Sequence, residues 1–274
     1  MDLLLVSDVD ATGDGPRLAR ELGVEVSSRG VDAVLERPDV GIVFDATSAG
    51  AHGRHTGRLR AAGKVAIDLT PGATGPPVVP LVNLEERVGE DDLNLITCPA
   101  QVAVPIVHAI TRLGPAHYAE VVSTFASSSV GPATRAHIDE FTSVTARGLE
   151  TPGGARHGKS IVILSPAEPP VAMRCVIHVV PEGEAEPSAV DGAVHAAVAG
   201  MQRLVPGYQL RSEPVHEEKD TPWGRRRTVT VSLDVVGRGD GLGRCGNLDV
   251  AAVAARVVGD AVAQRVMRAP QVTA

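Results

Sequence analysis

VGIVFDATSAG, residues 40–50, is an apolar run that stops at an aspartate and opens into small residues. A short continuous apolar run bounded by turn residues fits a strand buried on both faces, as in a parallel sheet. The stretch that follows, GRHTGRLRAAG (53–63), has helical spacing, and KVAIDLT (64–70) is a second apolar run. Upstream, LLLVSD (3–8) predicts a strand, GPRLARELG (15–23) a helix with a glycine stop, and VDAVLERP (31–38) a short helix. Downstream, LNLITC (93–98) predicts another strand. Strands alternating with helices at this spacing indicate βαβ units, so residues 1–97 are expected to form part of a doubly wound, Rossmann-like parallel sheet.

From residue 98 the pattern changes. After a helix over PAQVAVPIVHAITRLG (99–114), the runs AEVVSTFAS (119–127), KSIVILS (159–165), VAMRCVIHVV (171–180) and RTVTVSLDVV (227–236) alternate with period two. Such runs predict strands with one covered face, and helices are expected between them near 137–149 and 188–204. The reading is α/β: an incomplete Rossmann-like domain over 1–97, and an α+β domain over 98–245. A final amphipathic helix over 246–274 is expected to pack back on the first domain.

Composition narrows the chemistry. The 274 residues carry a net charge of −7, which argues against a non-specific nucleic-acid binder. The basic run GRRRT (224–228) reads as a solvated edge, with a contact to an anion such as a CoA phosphate as its functional alternative. Only 2% of residues are aromatic, so the core must be built from Val, Ala, Leu and Ile. Cys98, Cys175 and Cys245 make no disulfide framework and no zinc-ligand spacing, and the nine histidines are scattered, so no metal site is expected. MDLLLVSDVD lacks the pattern of a secretory signal, and a reducing cytoplasm is the expected location.

Candidate site residues fall in loops. Ligands of open α/β sheets bind at the carboxyl ends of strands, where Asp10, DATSAG (45–50) and DLTPGATGP (68–76) lie. Asp10 is either a contact to a ribose hydroxyl or a solvated strand-end acid. DATGDGPR (10–17) lacks the third glycine of a GxGxxG turn and reads as a turn only. Pro99 is favoured at the first position of a helix, which makes Cys98 the N-cap. A thiol there is either an activated nucleophile or a small buried hydrophobe. SSSVGPATRAHIDEF (127–141) places small residues before a helix starting near Arg135, which can offer N–H groups and a cation to an anion, or is a capped loop.

NLITCPAQVAVPIVHAI, HYAEVVSTFASSSVGPATRAHIDEFT, GGARHGKSIVILSPAEPPVAMR and CGNLDVAAVAA, with FDATSAGAH and DLTPGATGPPVVPLVNLEE upstream, resemble the acetylating acetaldehyde dehydrogenases. These are bacterial enzymes that pair with 4-hydroxy-2-oxovalerate aldolases in aromatic catabolism. The match is collinear over nearly the whole chain. It implies oxidation of a short aldehyde with NAD and coenzyme A to an acyl-CoA, through an acyl-thioester on Cys98. It also implies cofactor contacts from Ser129, Val130, Gly131, Pro132, Ala133, Thr134, Arg135, Ala136, His137 and Asn247, a homodimer, and an aldolase complex.

The chain departs from the family in four respects. It begins about where the family's second strand lies, without the GxGxxG unit. Pro99 and Ala100 stand where the family has Gly-Gly, Cys175 where it has an acid, and His137 where it has Asn. These departures leave two alternatives to compare: a non-redox acyl-thiol enzyme such as an acyltransferase or thioesterase, and a non-catalytic partner of an aldolase.

Overall fold

A computed structural model describes residues 1–237 and 246–268. In the N-terminal part the strands are β1 (Leu5–Ser7), β2 (Glu25–Ser27), β3 (Ile42–Asp45), β4 (Val65–Asp68) and β5 (Asp92–Asn94). The helices between them are α1 (Asp14–Glu21), α2 (Val31–Leu35), α3 (Ala49–Ala61) and α4 (Pro80–Arg87). All the strand pairings here are parallel, as the βαβ spacing predicts, but they form two sheets: β1 with β2, and β3–β4–β5. Among the described residues no strand bridges the two.

The second part opens with α5 (Cys98–Thr111), and continues through β6 (Ala116–Ala126), α6 (Pro132–Ala136) and α7 (Ile138–Glu150). It is completed by β7 (Gly158–Ser165), β8 (Met173–Pro181), α8 (Pro187–Leu204), β9 (Tyr208–Leu210), β10 (Val215–Thr221) and β11 (Gly224–Val235). These strands make one six-stranded sheet in the order β10-β11-β8-β6-β7, with β9 also on β11. Every pairing is antiparallel except β6 with β7.

Alternation along the strands separates two faces. Val121 and Phe125 of β6, Cys175 and Ile177 of β8, and Val231 and Leu233 of β11 are buried beside residues of α5, α7 and α8. Burial of this kind is worth about 1.5–3 kcal/mol for each large aliphatic side chain. The opposite face carries Ile161, Ile163, Val122 and Val176, and Ile163 stays 47% exposed.

The last helix, α9 (Gly246–Arg268), packs against α4, α5, β3 and β4. Ala254, Ala255, Val258 and Val262 join Ile67, Val78, Leu93 and Leu95 in a second core beneath the β3–β5 sheet. Residues 238–245, Cys245 included, and 269–274 lie outside the described residues.

The basic run takes its place as the start of β11. Arg225, Arg226 and Arg227 lie opposite Asp220, Lys219 and Glu218 of β10, and Arg227 Nε is 3.7 Å from Glu218 Oε1. The arginines thus sit on a charged hairpin at the sheet edge, where such residues discourage pairing with other chains.

Candidate active site

The turn between β5 and α5 is built differently from the sequence expectation. The strand ends at Asn94, and Leu95–Thr97 form a bend. Thr97 is the N-cap of α5, with its hydroxyl accepting from the Ala100 amide at 3.3 Å. Cys98 is therefore the first helical residue and Pro99 the second, a one-residue correction to the cap expected at Cys98. The physical reason is that a hydroxyl is a better acceptor for the free amides of a helix start than a thiol. Pro99 brings no N–H of its own.

Ile96, within this bend, has φ 58°. For a β-branched residue this left-handed conformation is a real outlier, costing on the order of 1–3 kcal/mol. Side chains on both sides hold it. Asn94 Oδ1 accepts from the Ile96 amide at 2.8 Å, and Gln101 Nε2 donates to Leu95 O at 2.8 Å and Val78 O at 2.7 Å. Close packing completes the frame, since a Cβ on Gly148 would meet Ala100 Cβ at 3.3 Å and Ile96 Cδ1 at 3.4 Å.

Cys98 opens into a cavity of about 230 Å³. Its floor is the bend itself together with Gln101; Leu69 and Pro71 come from the loop after β4; Phe125 and Phe141 close the apolar side; Leu248, Ala251 and Ala254 come from α9. Ser129, Val130, Gly131, Thr134 and Asn247 also line it. Burial pushes the Cys98 thiol up to about 12, against a smaller lowering by its own backbone amide. Cys175 lies in the same core and is raised too, by burial first and then by its neighbour Cys98.

Asn247 is the most telling polar group. It is 4% exposed, its Nδ2 reaches Ser129 O at 3.5 Å, and its buried Oδ1 has no hydrogen-bond partner among the described residues. A buried amide oxygen left unsatisfied costs free energy, so a native site that keeps one invites a donor from a ligand.

The remaining candidates from the sequence lie elsewhere. The segment 127–141 is not a loop leading into one helix near Arg135. It is a 3₁₀ turn over Ser127–Ser129, then the short α6, then α7 from Ile138, with His137 at the junction. The Arg135 guanidinium donates to Val130 O at 3.1 Å and to the carbonyl and hydroxyl of Ser127, so its donors clasp the loop. Ala136 and His137 are exposed, His137 with Nδ1 3.6 Å from Glu140. The side chains of Pro132 and Ala133 lie outside the described ones. Asp10 follows β1 at the surface and accepts from the Thr12 amide and hydroxyl. Sequence reasoning missed Gln101, Phe125, Phe141 and Asn94. Gln101 had a signal, as the one long polar side chain within the apolar start of α5.

A separate buried cluster lies at the carboxyl edge of β3 and β4. His52, fully buried, has Nδ1 3.0 Å from Asp45 Oδ2, and Nε2 3.2 Å from Asp92 Oδ1 and 3.5 Å from Asp68 Oδ2. Burial opposes charge on His52, but the bonds to Asp45 and Asp92 and the charge of Asp68 raise it to about 10. Burial also opposes ionisation of Asp45 and Asp92, and at both the hydrogen-bond donors win and hold the carboxyl low. At Asp68 burial wins, and the carboxyl is raised. The loop after β4 is drawn tight over this cluster: a Cβ on Gly75 would meet Asp92 O at 2.4 Å, and Thr74 donates to Asp92 at 2.8 Å.

Comparison with known proteins assigns the scaffold. A family model described as "Prokaryotic acetaldehyde dehydrogenase, dimerisation" matches residues 98–243. An acetaldehyde dehydrogenase of Roseiflexus castenholzii is 51% identical over 268 residues, covering 97% of this chain and 88% of that protein. One from Thermus thermophilus is 51% identical over 272 residues, covering 98% and 89%. The chain belongs to the acetaldehyde dehydrogenase family. Solved structures of an aspartate semialdehyde dehydrogenase from Vibrio cholerae (TM-score 0.54, 14% identity, 98% of this chain and 100% of that one) and a probable one from Pseudomonas aeruginosa (TM-score 0.55, 15%, 97% and 100%) share its fold. No described helix of this family member is long and apolar enough to cross a membrane.

Proposed function

We propose that this chain is an acylating aldehyde dehydrogenase that converts a short aldehyde, coenzyme A and NAD to an acyl-CoA and NADH, with Cys98 as the nucleophile. The observation that carries the reading is Cys98 at the head of α5, facing a small apolar cavity that Asn247 also lines. At about 230 Å³ the cavity is below the range of drug-sized pockets. It suits a two- or three-carbon aldehyde and the edge of a flat ring, the rest of a dinucleotide lying outside it.

Asn247 Oδ1 fits the carboxamide N–H of a nicotinamide, and Ser129, Val130, Gly131 and Thr134 are the residues that would flank the ring. The side chains of Asp10 and Arg135–His137 serve local contacts or face solvent, away from this ring. When bound, NAD would supply the acceptor for the hydride that must leave for the Cys98 adduct to become an acyl-thioester. The chain's residues do the rest. The Cys98 sulfur, once deprotonated, bonds to the aldehyde carbon. The resulting oxyanion lies near the Cys98 N–H, the amide left at this helix start once Pro99 has none and Ala100 is capped by Thr97. The coenzyme A thiolate then attacks the acyl carbon, the bond to Cys98 breaks, and the Cys98 thiolate is restored. In the protein alone the thiol keeps its proton at neutral pH, since burial raises it.

In the same reading, residues 1–97 with the last helix form the nucleotide-binding unit, residues 98–245 form the catalytic and dimerisation unit, and an aldolase is the upstream partner. A second copy docks on the open sheet face around Ile161 and Ile163. Changing both to Asp is expected to turn the dimer into a monomer by sedimentation velocity; an unchanged dimer would place the interface elsewhere. The activity itself is tested by mixing protein, acetaldehyde or propanal, coenzyme A and NAD. Absorbance at 340 nm and acyl-CoA mass should rise together, and neither should rise when NAD or coenzyme A is omitted. Acyl-CoA hydrolysis with no nicotinamide requirement would favour a thioesterase instead.

A further inference from the structure

The geometry before Cys98 calls for a residue that sets it. Asn94 is 1% exposed, and its side chain makes three hydrogen bonds, each to a different part of the site. Its Oδ1 accepts from the Ile96 amide at 2.8 Å; its Nδ2 donates to Asp68 Oδ2 at 2.6 Å and to Thr70 O at 3.2 Å. Asp68 in turn accepts from the Thr70 amide at 2.7 Å and stands 3.5 Å from His52 Nε2. Its backbone carbonyl accepts from the Leu95 amide at 2.8 Å. The side chain of Asn94 therefore ties the left-handed bend at Ile96 to the end of β4, two residues before the thiol.

We propose that Asn94 is a positioning residue for Cys98: by holding the Ile96 amide it keeps the bend left-handed, and so presents the sulfur at the cavity rather than in the core. Without that acceptor, Ile96 relaxes toward negative φ, and the first turn of α5 rotates with it. A displacement of about 1 Å at a reacting atom can cost on the order of 100-fold in rate. The inference rests on Cys98 being the nucleophile, and the test keeps the two apart.

In the full-length protein, Asn94→Ala should lower kcat about 100-fold while KM for aldehyde and for NAD stays within about threefold. Iodoacetamide labelling of Cys98 at pH 9, followed by peptide mass with Cys175 as the buried control, should slow at least tenfold. Asn94→Asp keeps the acceptor for Ile96 but sets a second carboxyl against Asp68, in the neighbourhood of His52 and Asp92. Two carboxyls in contact must share a proton. The kcat of this variant should therefore approach wild type at low pH and fall as pH rises, a limb absent from the wild-type profile. If Asn94→Ala does not fold, Asn94→Asp decides alone. Wild-type kcat and labelling in Asn94→Ala, or a wild-type pH profile in Asn94→Asp, overturns the proposal while Cys98→Ser remains inactive. Full activity in Cys98→Ser overturns both readings together.

Discussion

Cys98→Ser is expected to reduce kcat for NADH formation by about 10³-fold or more, because loss of a covalent nucleophile removes the pathway rather than one contact within it. A serine hydroxyl at the same place would have to lose its proton among Ile96, Phe125 and Phe141, in surroundings that already hold a more acidic thiol up to about 12. The variant should fold as the wild type does, since the exchange of sulfur for oxygen leaves Thr97 capping α5 and Gln101 holding Leu95. The half-reaction gives an independent reading. Propionyl-CoA mixed with the protein should add one acyl mass to the Cys98 peptide, and no acyl mass should appear in the serine variant. Retention of steady-state activity would move the nucleophile to another residue.

His52→Leu should destabilise the fold by about 3–5 kcal/mol in urea denaturation, as expected when one partner of a buried ionic group is removed and the others stay. Asp45, Asp68 and Asp92 would then face one another without the imidazolium. The pH dependence follows from the directions of the shifts. His52 titrates near 10 when folded and near ~6.5 when unfolded, so its contribution is complete below ~6.5 and disappears as pH rises through 10. Asp45 and Asp92 are held low, so their contributions are present above ~3.9 and disappear as pH falls. Asp68 is raised and works against the fold once ionised. Wild-type stability should thus decline on the alkaline side, and His52→Leu should flatten that decline. Equal alkaline slopes in the two proteins would show that His52 is neutral in the fold.

Much of this architecture was legible from residue pattern. The parallel strands of the first part other than β2, and the four long runs of the second, follow from continuous and alternating apolar residues; β2, only three residues long, gave no such run. What escaped has physical reasons. β10, VHEEKDT, carries almost no apolar signal because it is a charged edge strand, and β9 has only three residues. The N-cap shifted from Cys98 to Thr97 because proline at the first turn fits either of two positions, and the cap is decided by which side chain reaches an amide. The His52 cluster was invisible because its aspartates close β3, close β4 and open β5, so each alone resembles a solvated strand-end acid. The resemblance to a family singled out Cys98, Asn247 and the segment from Ser129 to His137, and of these Cys98, Ser129, Val130, Gly131, Thr134 and Asn247 line one cavity. It could not reveal that Ile96 is held in a left-handed bend, since that depends on Asn94 and Gln101 meeting the backbone from opposite sides.

The position of α9 has a consequence for biosynthesis. Chains generally acquire structure as they leave the ribosome, N-terminal units first. Here the core beneath β3–β5 is shared with Ala254, Ala255, Val258 and Val262, and Asn247, Leu248 and Ala251 supply one wall of the cavity. Both are made after the whole second part of the chain. The N-terminal sheets must wait, partly open, until that part has emerged, and the site is walled only once α9 has been made. Nascent chains halted before it would expose Ile67, Leu93 and Leu95 and have an unwalled thiol, so chaperone demand and acquisition of activity converge on the same closing event.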